Sequence, residues 1–246
     1  DVYKRQLYDP DYEGEEVIYP RYAPCDFLTE RELKHVRALY AGEVTMVDSW
    51  VGYLLKRVEE LGLLDSTAII FTTDHGFLHG EHGIIGKSLI WPGGHADVPL
   101  YEEIARIPLI IRLPGMRVGR RIEAYAQPPD LMPTILDLCG VEIPDTVQGM
   151  SLLPVMRGER KETRPIAIST PPLCHDPNGG RPTTITCGEW SLIYYGNPDA
   201  PLMRHLTMAV DSIERPAVVP TERVPEPELY HLPSDPGQQR NVIAEN

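Results

Sequence analysis

The sequence has no long hydrophobic run and little positive charge. No apolar stretch approaches the roughly 18–20 residues that cross a bilayer, so no candidate membrane span is present. Lys and Arg total 23 against 36 Asp and Glu, which gives a formal net charge of −13 and a pI near 5.0. Because nucleic-acid phosphates bind to basic surfaces, this balance argues against a nucleic-acid partner.

Cysteine is also scarce, and no CxxC pair occurs. The four cysteines are scattered and would allow three disulfide pairings. We favour free thiols and keep disulfides as the alternative; the four residues are Cys25, Cys139, Cys174 and Cys187.

The chain does not begin with Met, and no signal peptide is evident. Its first six residues, DVYKRQ, resemble the translated end of a sequencing adapter. We therefore expect a fragment of a longer protein, with the N-terminus of a processed protein as the alternative. The sequence does not indicate a compartment or an oligomeric state.

A long amphipathic helix is the clearest predicted element. Thr29 and Glu32 form a capping box, and Gly62 stands where a glycine ends a helix. The predicted helix, residues 30–61, carries an apolar stripe that we expect to face a sheet. The stripe consists of Leu33, Val36, Tyr40, Val44, Val47, Val51, Leu54, Leu55, Val58 and Leu61.

Two short apolar segments, residues 66–73 and 106–115, indicate buried strands, and residues 130–140 indicate a short helix. This order predicts an α/β domain with a mainly parallel sheet and flanking helices over residues 1–157.

The pattern of predicted secondary structure changes after residue 157. A strand at residues 164–169, a hairpin at 183–196 that turns at Gly188 and Glu189, and a final strand within 228–243 indicate antiparallel pairing. We expect residues 158–246 to form a small α+β subdomain with an antiparallel sheet.

The stretch IIFTTDHGFLHGEHGIIGK carries the candidate chemistry. Asp74 and His75 follow the first buried strand, and Gly76 permits a turn there. Ligands in α/β sheets bind beyond the carboxyl ends of strands, and a carboxylate with an imidazole is a common pair for a divalent metal. Lys87 adds a compact positive charge suited to an anionic group beside that metal.

Other candidates in this region have a structural alternative. His79 and His82 flank an acid, and we interpret them as groups that order the loop, or as partners of metal ligands. Trp91 and His95 lie in a segment that looks inserted. Either both residues line a substrate pocket, or the segment is a surface loop that packs its own Trp91.

Four ordered segments resemble the sulfatase family of the alkaline-phosphatase superfamily. They are TTDHGFLHGEHGIIGK, LYEEIARIPLIIRLPG, PPDLMPTILDLCGVEIPDTVQGMSLLPVMRGE and ELYHLPSDPGQQRN. With the preceding helix, the resemblance covers nearly all of residues 37–157 and returns at 228–243. It implies a partial alkaline-phosphatase-like fold without its N-terminal portion.

The resemblance implies a role for three residues. Asp74 and His75 would bind the metal, and Lys87 would contact the sulfate and the leaving-group oxygen. His95 remains a candidate substrate contact. The implied metal is Ca²⁺, with Mg²⁺ or another divalent ion as alternatives; a histidine ligand suits zinc more readily than calcium.

The family nucleophile, a formylglycine made from Cys or Ser in a C/S-x-P-x-R motif, is absent. No cysteine begins such a motif, and Ser169 begins STPPL, with Leu173 where Arg is required. The family's paired aspartates on the first strand, two further metal ligands, are also not seen. We expect both features upstream of Asp1 and expect this chain alone to be inactive.

The resulting expectation is a sulfuric ester hydrolase acting on a small-molecule or saccharide sulfate ester. A phosphodiester or phosphonate monoester hydrolase of the same superfamily is one alternative. A non-catalytic fragment or a pseudoenzyme is another.

Overall fold

A computed structural model describes residues 2–15, 21–91, 94–171, 182–195 and 226–245. The helices are α1 (Val2–Arg5), α2 (Glu30–Glu60), α3 (Glu102–Ala105), α4 (Leu131–Leu138) and α5 (Leu153–Arg157). The strands are β1 (Ala23–Pro24), β2 (Ile69–Thr72), β3 (Leu78–His79), β4 (Ile84–Gly86), β5 (Ser88–Trp91), β6 (Gly94–Asp97), β7 (Leu109–Arg112), β8 (Ala167–Ser169), β9 (Thr183–Cys187), β10 (Trp190–Tyr194) and β11 (Glu228–His231). Within these residues, no helix combines the length and apolar character that crossing a membrane requires.

Helix α2 begins and ends where its sequence signals predict. The Thr29 amide donates to Glu32 Oε2 at 2.7 Å, and the Glu32 amide donates to Thr29 Oγ1 at 3.3 Å, which is a capping box. Gly62 has φ +68° and ends the helix in the left-handed region. The predicted helix is confirmed.

Among the described residues, no sheet covers the apolar stripe of α2 for most of its length, contrary to expectation. Val36 is buried near the N-terminal end, but most of the stripe beyond it is exposed. The exposed large apolar residues of α2 are Tyr40, Val44, Val47, Trp50, Tyr53, Leu54 and Leu55. The described sheet nearest in sequence, β2 with β7, has two strands only, which is too small to cover a 31-residue helix.

Strands β2 and β7 pair with each other in antiparallel fashion, with Ile70 opposite Ile111 and Phe71 opposite Ile110. The α/β class is confirmed, but every strand pairing among the described residues is antiparallel, so the expected parallel pairing is absent there. Two neighbouring parallel strands need a crossover connection that carries the chain back to the end of the sheet where the first strand began. The β2–β7 connection instead consists of short hairpins and the four-residue α3. Strand β7 therefore begins beside the end of β2.

The C-terminal strands form one antiparallel sheet in the order β11-β10-β9-β8. Gly188, with φ +57°, turns the β9–β10 hairpin at the predicted position. This sheet shares a core with the segment after β2, because Ile193 and Tyr230 pack in one cluster with Leu78, Val98 and Ile104. The division at residues 157 and 158 stays a prediction.

Asp130 joins the C-terminal strands to α4. It is fully buried, and its carboxylate accepts hydrogen bonds from the Gln127 and Met150 amides at 2.8 Å and from the Arg164 guanidinium. Arg164 also donates to Gln127 Oε1 at 2.7 Å.

Free thiols are found at Cys25, Cys139 and Cys187, in line with the preferred interpretation. Cys174 lies outside the described residues.

Candidate active site

Asp74 and His75 leave the carboxyl end of β2 in a turn that organises the carboxylate. The His75 amide donates to Asp74 Oδ1 at 2.8 Å, and Thr73 Oγ1 donates to the same oxygen at 3.2 Å. The hydrogen bond from the His75 amide is the main cause that lowers the pKa of Asp74 below its usual value, and the Thr73 hydroxyl adds to the effect. The exposed Asp74 side chain is therefore ionised at neutral pH.

The His75 ring presents one nitrogen to the site. Its Nδ1 lies 2.8 Å from the Gly76 carbonyl oxygen, and this nitrogen must carry the proton because a carbonyl only accepts. Lys87 Nζ lies 2.6 Å from Nε2, and because an ammonium only donates, Nε2 accepts this hydrogen bond. Asp74 Oδ2 lies 3.2 Å from the same nitrogen.

Lys87 reaches this point from the far end of the same segment. The chain makes the β3–β4 hairpin, and Lys87 follows β4 directly. Its ammonium donates to His75 Nε2, so the structure brings together Asp74, His75 and Lys87, the three residues that the sequence singled out.

Two of these side chains, Asp74 and His75, are of types that bind divalent cations. A metal-binding histidine typically donates its other ring N–H to a carbonyl, as His75 does to Gly76. Nε2 and Asp74 Oδ2 lie 3.2 Å apart, close enough to bind one ion if that ion takes the place of Lys87 Nζ at Nε2. No group of three or more His, Cys, Asp or Glu suited to a metal occurs in the part of the chain that the structure describes.

Helix α3 fixes the position of the Asp74–Gly76 turn. The Gly76 amide donates to the Ile104 carbonyl at 2.9 Å. A Cβ atom at Gly76 would lie 1.8 Å from the Glu103 carbonyl oxygen, so only glycine fits here. The turn therefore rests directly on the backbone of α3.

The remaining candidate histidines lie beside the site. His79 packs its ring near Tyr40 and Phe77, and burial lowers its pKa. His82 stacks on Tyr101 with ring centroids 3.5 Å apart. Both rings pack against neighbouring aromatic side chains, and their role in ordering the loop stays a prediction. His95 lies in β6 opposite Ile90, but its side chain and that of Trp91 lie outside the described residues.

Sequence reasoning missed the contribution of Gln238. This residue is buried, has φ +48°, and its Oε1 accepts from the Glu102 amide at the start of α3 at 2.7 Å. Its Nε2 donates to Ser191 Oγ in β10 at 3.1 Å. The segment DPGQQRN pointed to this region, but no local signal links Gln238 to a helix 136 residues away.

Comparisons with known proteins show the family to which the chain belongs. The Sulfatase family model matches residues 4–141. An N-acetylglucosamine-6-O-sulfatase of Bacteroides thetaiotaomicron is 42% identical over 123 residues, which cover 50% of this chain and 20% of that protein.

Two solved structures superimpose with similar quality. One is a protein in complex with its substrate D-glucosamine-2-N,6-O-disulfate, with TM-score 0.63 and 28% identity, covering 89% of this chain and 40% of that chain. The other is a phosphonate monoester hydrolase from Silicibacter pomeroyi, with TM-score 0.62 and 27% identity, covering 97% and 40%.

The chain thus spans a fifth of the curated relative and two fifths of each solved structure. Within that span, the family match covers more than half of the 246 residues and includes Asp74, His75 and Lys87. The chain belongs to the sulfatase family, in the alkaline-phosphatase superfamily.

Proposed function

We propose that this chain carries one part of the active site of a sulfuric ester hydrolase. The observation that carries the proposal is the contact of Lys87 Nζ with His75 Nε2 at 2.6 Å, beside the Asp74 carboxylate. An ammonium, an imidazole lone pair and a carboxylate at one point suit a bound cation and a sulfate oxyanion together.

Asp74 and His75 would hold the divalent ion, which we take to be Ca²⁺ because the family resemblance implies it. Mg²⁺ or another divalent ion is the alternative. When bound, the ion would supply a positive charge that polarises the sulfate group. The lowered pKa of Asp74 favours this role, since the carboxylate stays ionised where the enzyme would work.

Lys87 would act on the sulfate and on the leaving group. Its ammonium neutralises a sulfate oxygen and then the negative charge that develops on the departing alcohol oxygen. This is electrostatic stabilisation at a positioned donor, and loss of one such contact typically costs about 3 kcal/mol, or a hundredfold or more in rate.

The nucleophile would come from outside residues 1–246, because no C/S-x-P-x-R motif occurs in them. The exposed apolar stripe of α2 supports the same interpretation. Several large side chains on one helix face, among them Trp50 at 66% exposure, suit a surface that another segment of a longer chain covers. We expect the 246-residue chain alone to be inactive.

The substrate class that we propose is a sulfated saccharide. The relative named as an N-acetylglucosamine-6-O-sulfatase and the structure solved with a glucosamine disulfate support it. The net charge of −13 favours a substrate with one or a few sulfate groups, because a densely sulfated polymer would meet an unfavourable overall field.

A phosphonate monoester or phosphodiester hydrolase is the second candidate. A solved structure named for phosphonate monoester hydrolysis superimposes on 97% of the chain with TM-score 0.62. The same cation site would serve either ester, so the reaction itself must decide between the two functions.

The deciding experiment compares an aryl sulfate with an aryl phosphodiester as substrates of the full-length protein. We expect the larger kcat/KM for the sulfate. Asp74→Asn should abolish turnover of both esters, because it removes the charged metal ligand. Phosphodiester cleavage that is faster by orders of magnitude would reject the sulfatase proposal in favour of the second candidate.

A further inference from the structure

The candidate site is formed by two chain segments, here called its arms, and these arms also contact each other away from Lys87. One arm is the Asp74–Gly76 turn, which rests on α3. The other arm is the β3–β4 hairpin, which ends at Lys87. His82, in the connection of that hairpin, faces Glu103 of α3 with 3.6 Å between His82 Nε2 and Glu103 Oε2.

Both of these atoms are buried, and neither has a hydrogen-bond partner among the described residues. The His82 side chain is 10% exposed and that of Glu103 is 25% exposed. Burial without a partner is costly for a polar atom, and these two atoms face each other. Each is therefore the natural partner of the other.

The backbone of His82 adopts a conformation that its surroundings must hold in place. Its φ is +54°, in the left-handed region, which is unfavourable for a non-glycine residue. The ring stacks on Tyr101, the residue before α3, with planes 6° apart. Both contacts of the ring are thus with the α3 segment.

Helix α3 needs such support. It has four residues, and an isolated helix of that length is not stable. Gln238 holds its first amide, and His82 meets it from the hairpin side. Because α3 carries the backbone on which Gly76 rests, its placement sets the position of His75.

We propose that His82 and Glu103 are a positioning pair that sets the distance between Lys87 and His75. His82 lies five positions before Lys87 along one arm, and Glu103 contacts the turn that carries His75 on the other. The pair does not contact the reacting groups and acts through the two arms. This role rests on the proposed function of the Asp74, His75 and Lys87 site.

The test uses NMR on the full-length protein with isotope-labelled lysine and histidine, with the nuclear Overhauser contact between the Lys87 side chain and the His75 ring as readout. We expect the contact to be lost in Glu103→Ala and in His82→Asn, while the amide spectrum stays folded. Asn is chosen because it tolerates the left-handed backbone. Glu103→Gln, which restores a hydrogen-bonding side chain, should recover the contact.

Glu102→Ala is the matched control. It removes the same side chain one position earlier in α3, but Glu102 pairs with Arg106 and not with His82. The contact should persist in this variant. Loss of the contact in Glu102→Ala to the same extent would overturn the proposal, because the effect would then be a general loosening of α3.

Retention of the Lys87–His75 contact in both Glu103→Ala and His82→Asn would also overturn it. If Glu103→Ala does not fold, the double variant with His82→Asn carries the same test, since it replaces both members of the buried pair. A kinetic readout follows in the full-length protein: kcat should fall about tenfold or more in Glu103→Ala with KM little changed, as expected for misplaced groups.

The two proposals fail separately. The NMR contact needs no metal and no sulfatase activity. Loss of the contact as expected, in a protein that hydrolyses no sulfate ester, would reject the proposed function and leave the positioning pair standing.

Discussion

Gly76→Ala should destabilise the protein strongly, because backbone atoms of α3 fill the space that the alanine methyl group would need. The added Cβ would lie 1.8 Å from the Glu103 carbonyl oxygen, 2.9 Å from the Glu103 carbonyl carbon and 3.1 Å from Ile104 Cα. All three are backbone atoms, so no side chain can rotate away to make room.

The expected cost has two parts. Overpacking of this kind costs roughly 1–3 kcal/mol. Moving the turn away also breaks the hydrogen bond from the Gly76 amide to the Ile104 carbonyl, worth about 1 kcal/mol. The free energy of unfolding should therefore fall by about 2–4 kcal/mol.

Urea denaturation of the purified chain measures this change, and Gly52→Ala is its control. Gly52 lies on the exposed side of α2, where an added Cβ meets no heavy atom within 4 Å. Alanine in a helix interior is favoured over glycine by about 0.5–1 kcal/mol, so the control should be more stable than the parent chain. Equal stability of the two variants would refute the claim that α3 holds the turn.

Three further predictions concern stability. Asp130→Ala should cost about 3–5 kcal/mol in urea denaturation, because it leaves the Arg164 charge without its buried partner; a loss below 1 kcal/mol would contradict this. Burial is the main cause that raises the pKa of three tyrosines, and the Glu228 carboxylate adds to it. The folded state therefore favours the neutral forms of Tyr101, Tyr195 and Tyr230. Their contribution is complete below the unfolded pKa of about 10 and is lost as pH rises above it, so stability followed by circular dichroism should fall above about pH 10 rather than stay level. Thr29→Ala should lower the free energy of unfolding by about 1 kcal/mol through loss of the α2 cap, and Thr29→Ser should retain most of it; equal loss in both would argue against the cap.

The sequence predicted those elements whose signals are local. The capping box at Thr29 and the glycine at position 62 bound α2, and Gly188 turns the C-terminal hairpin. Each signal acts within a few residues of itself, so it needs no knowledge of distant contacts. The spacing of Asp74 and Lys87 suggested one site, and the hairpin between them brings it together.

Long-range arrangement could not be predicted in the same way. An apolar stripe indicates that a helix face favours burial, but it does not say what covers that face, and most of the α2 stripe is exposed. Strand composition does not distinguish the antiparallel pairing of β2 with β7 from parallel pairing. The contact of Gln238 with α3 depends on the tertiary fold alone.

The most direct test of the central claim is kcat/KM for an aryl sulfate in the full-length protein, compared with its Lys87→Ala variant. Lys161→Ala is the control, because it removes an exposed lysine from a different part of the chain. We predict a loss of about a hundredfold or more for Lys87→Ala and little change for Lys161→Ala. Activity within a few-fold of the unaltered protein after Lys87→Ala would contradict the account, because the ammonium beside His75 would then have no part in the reaction.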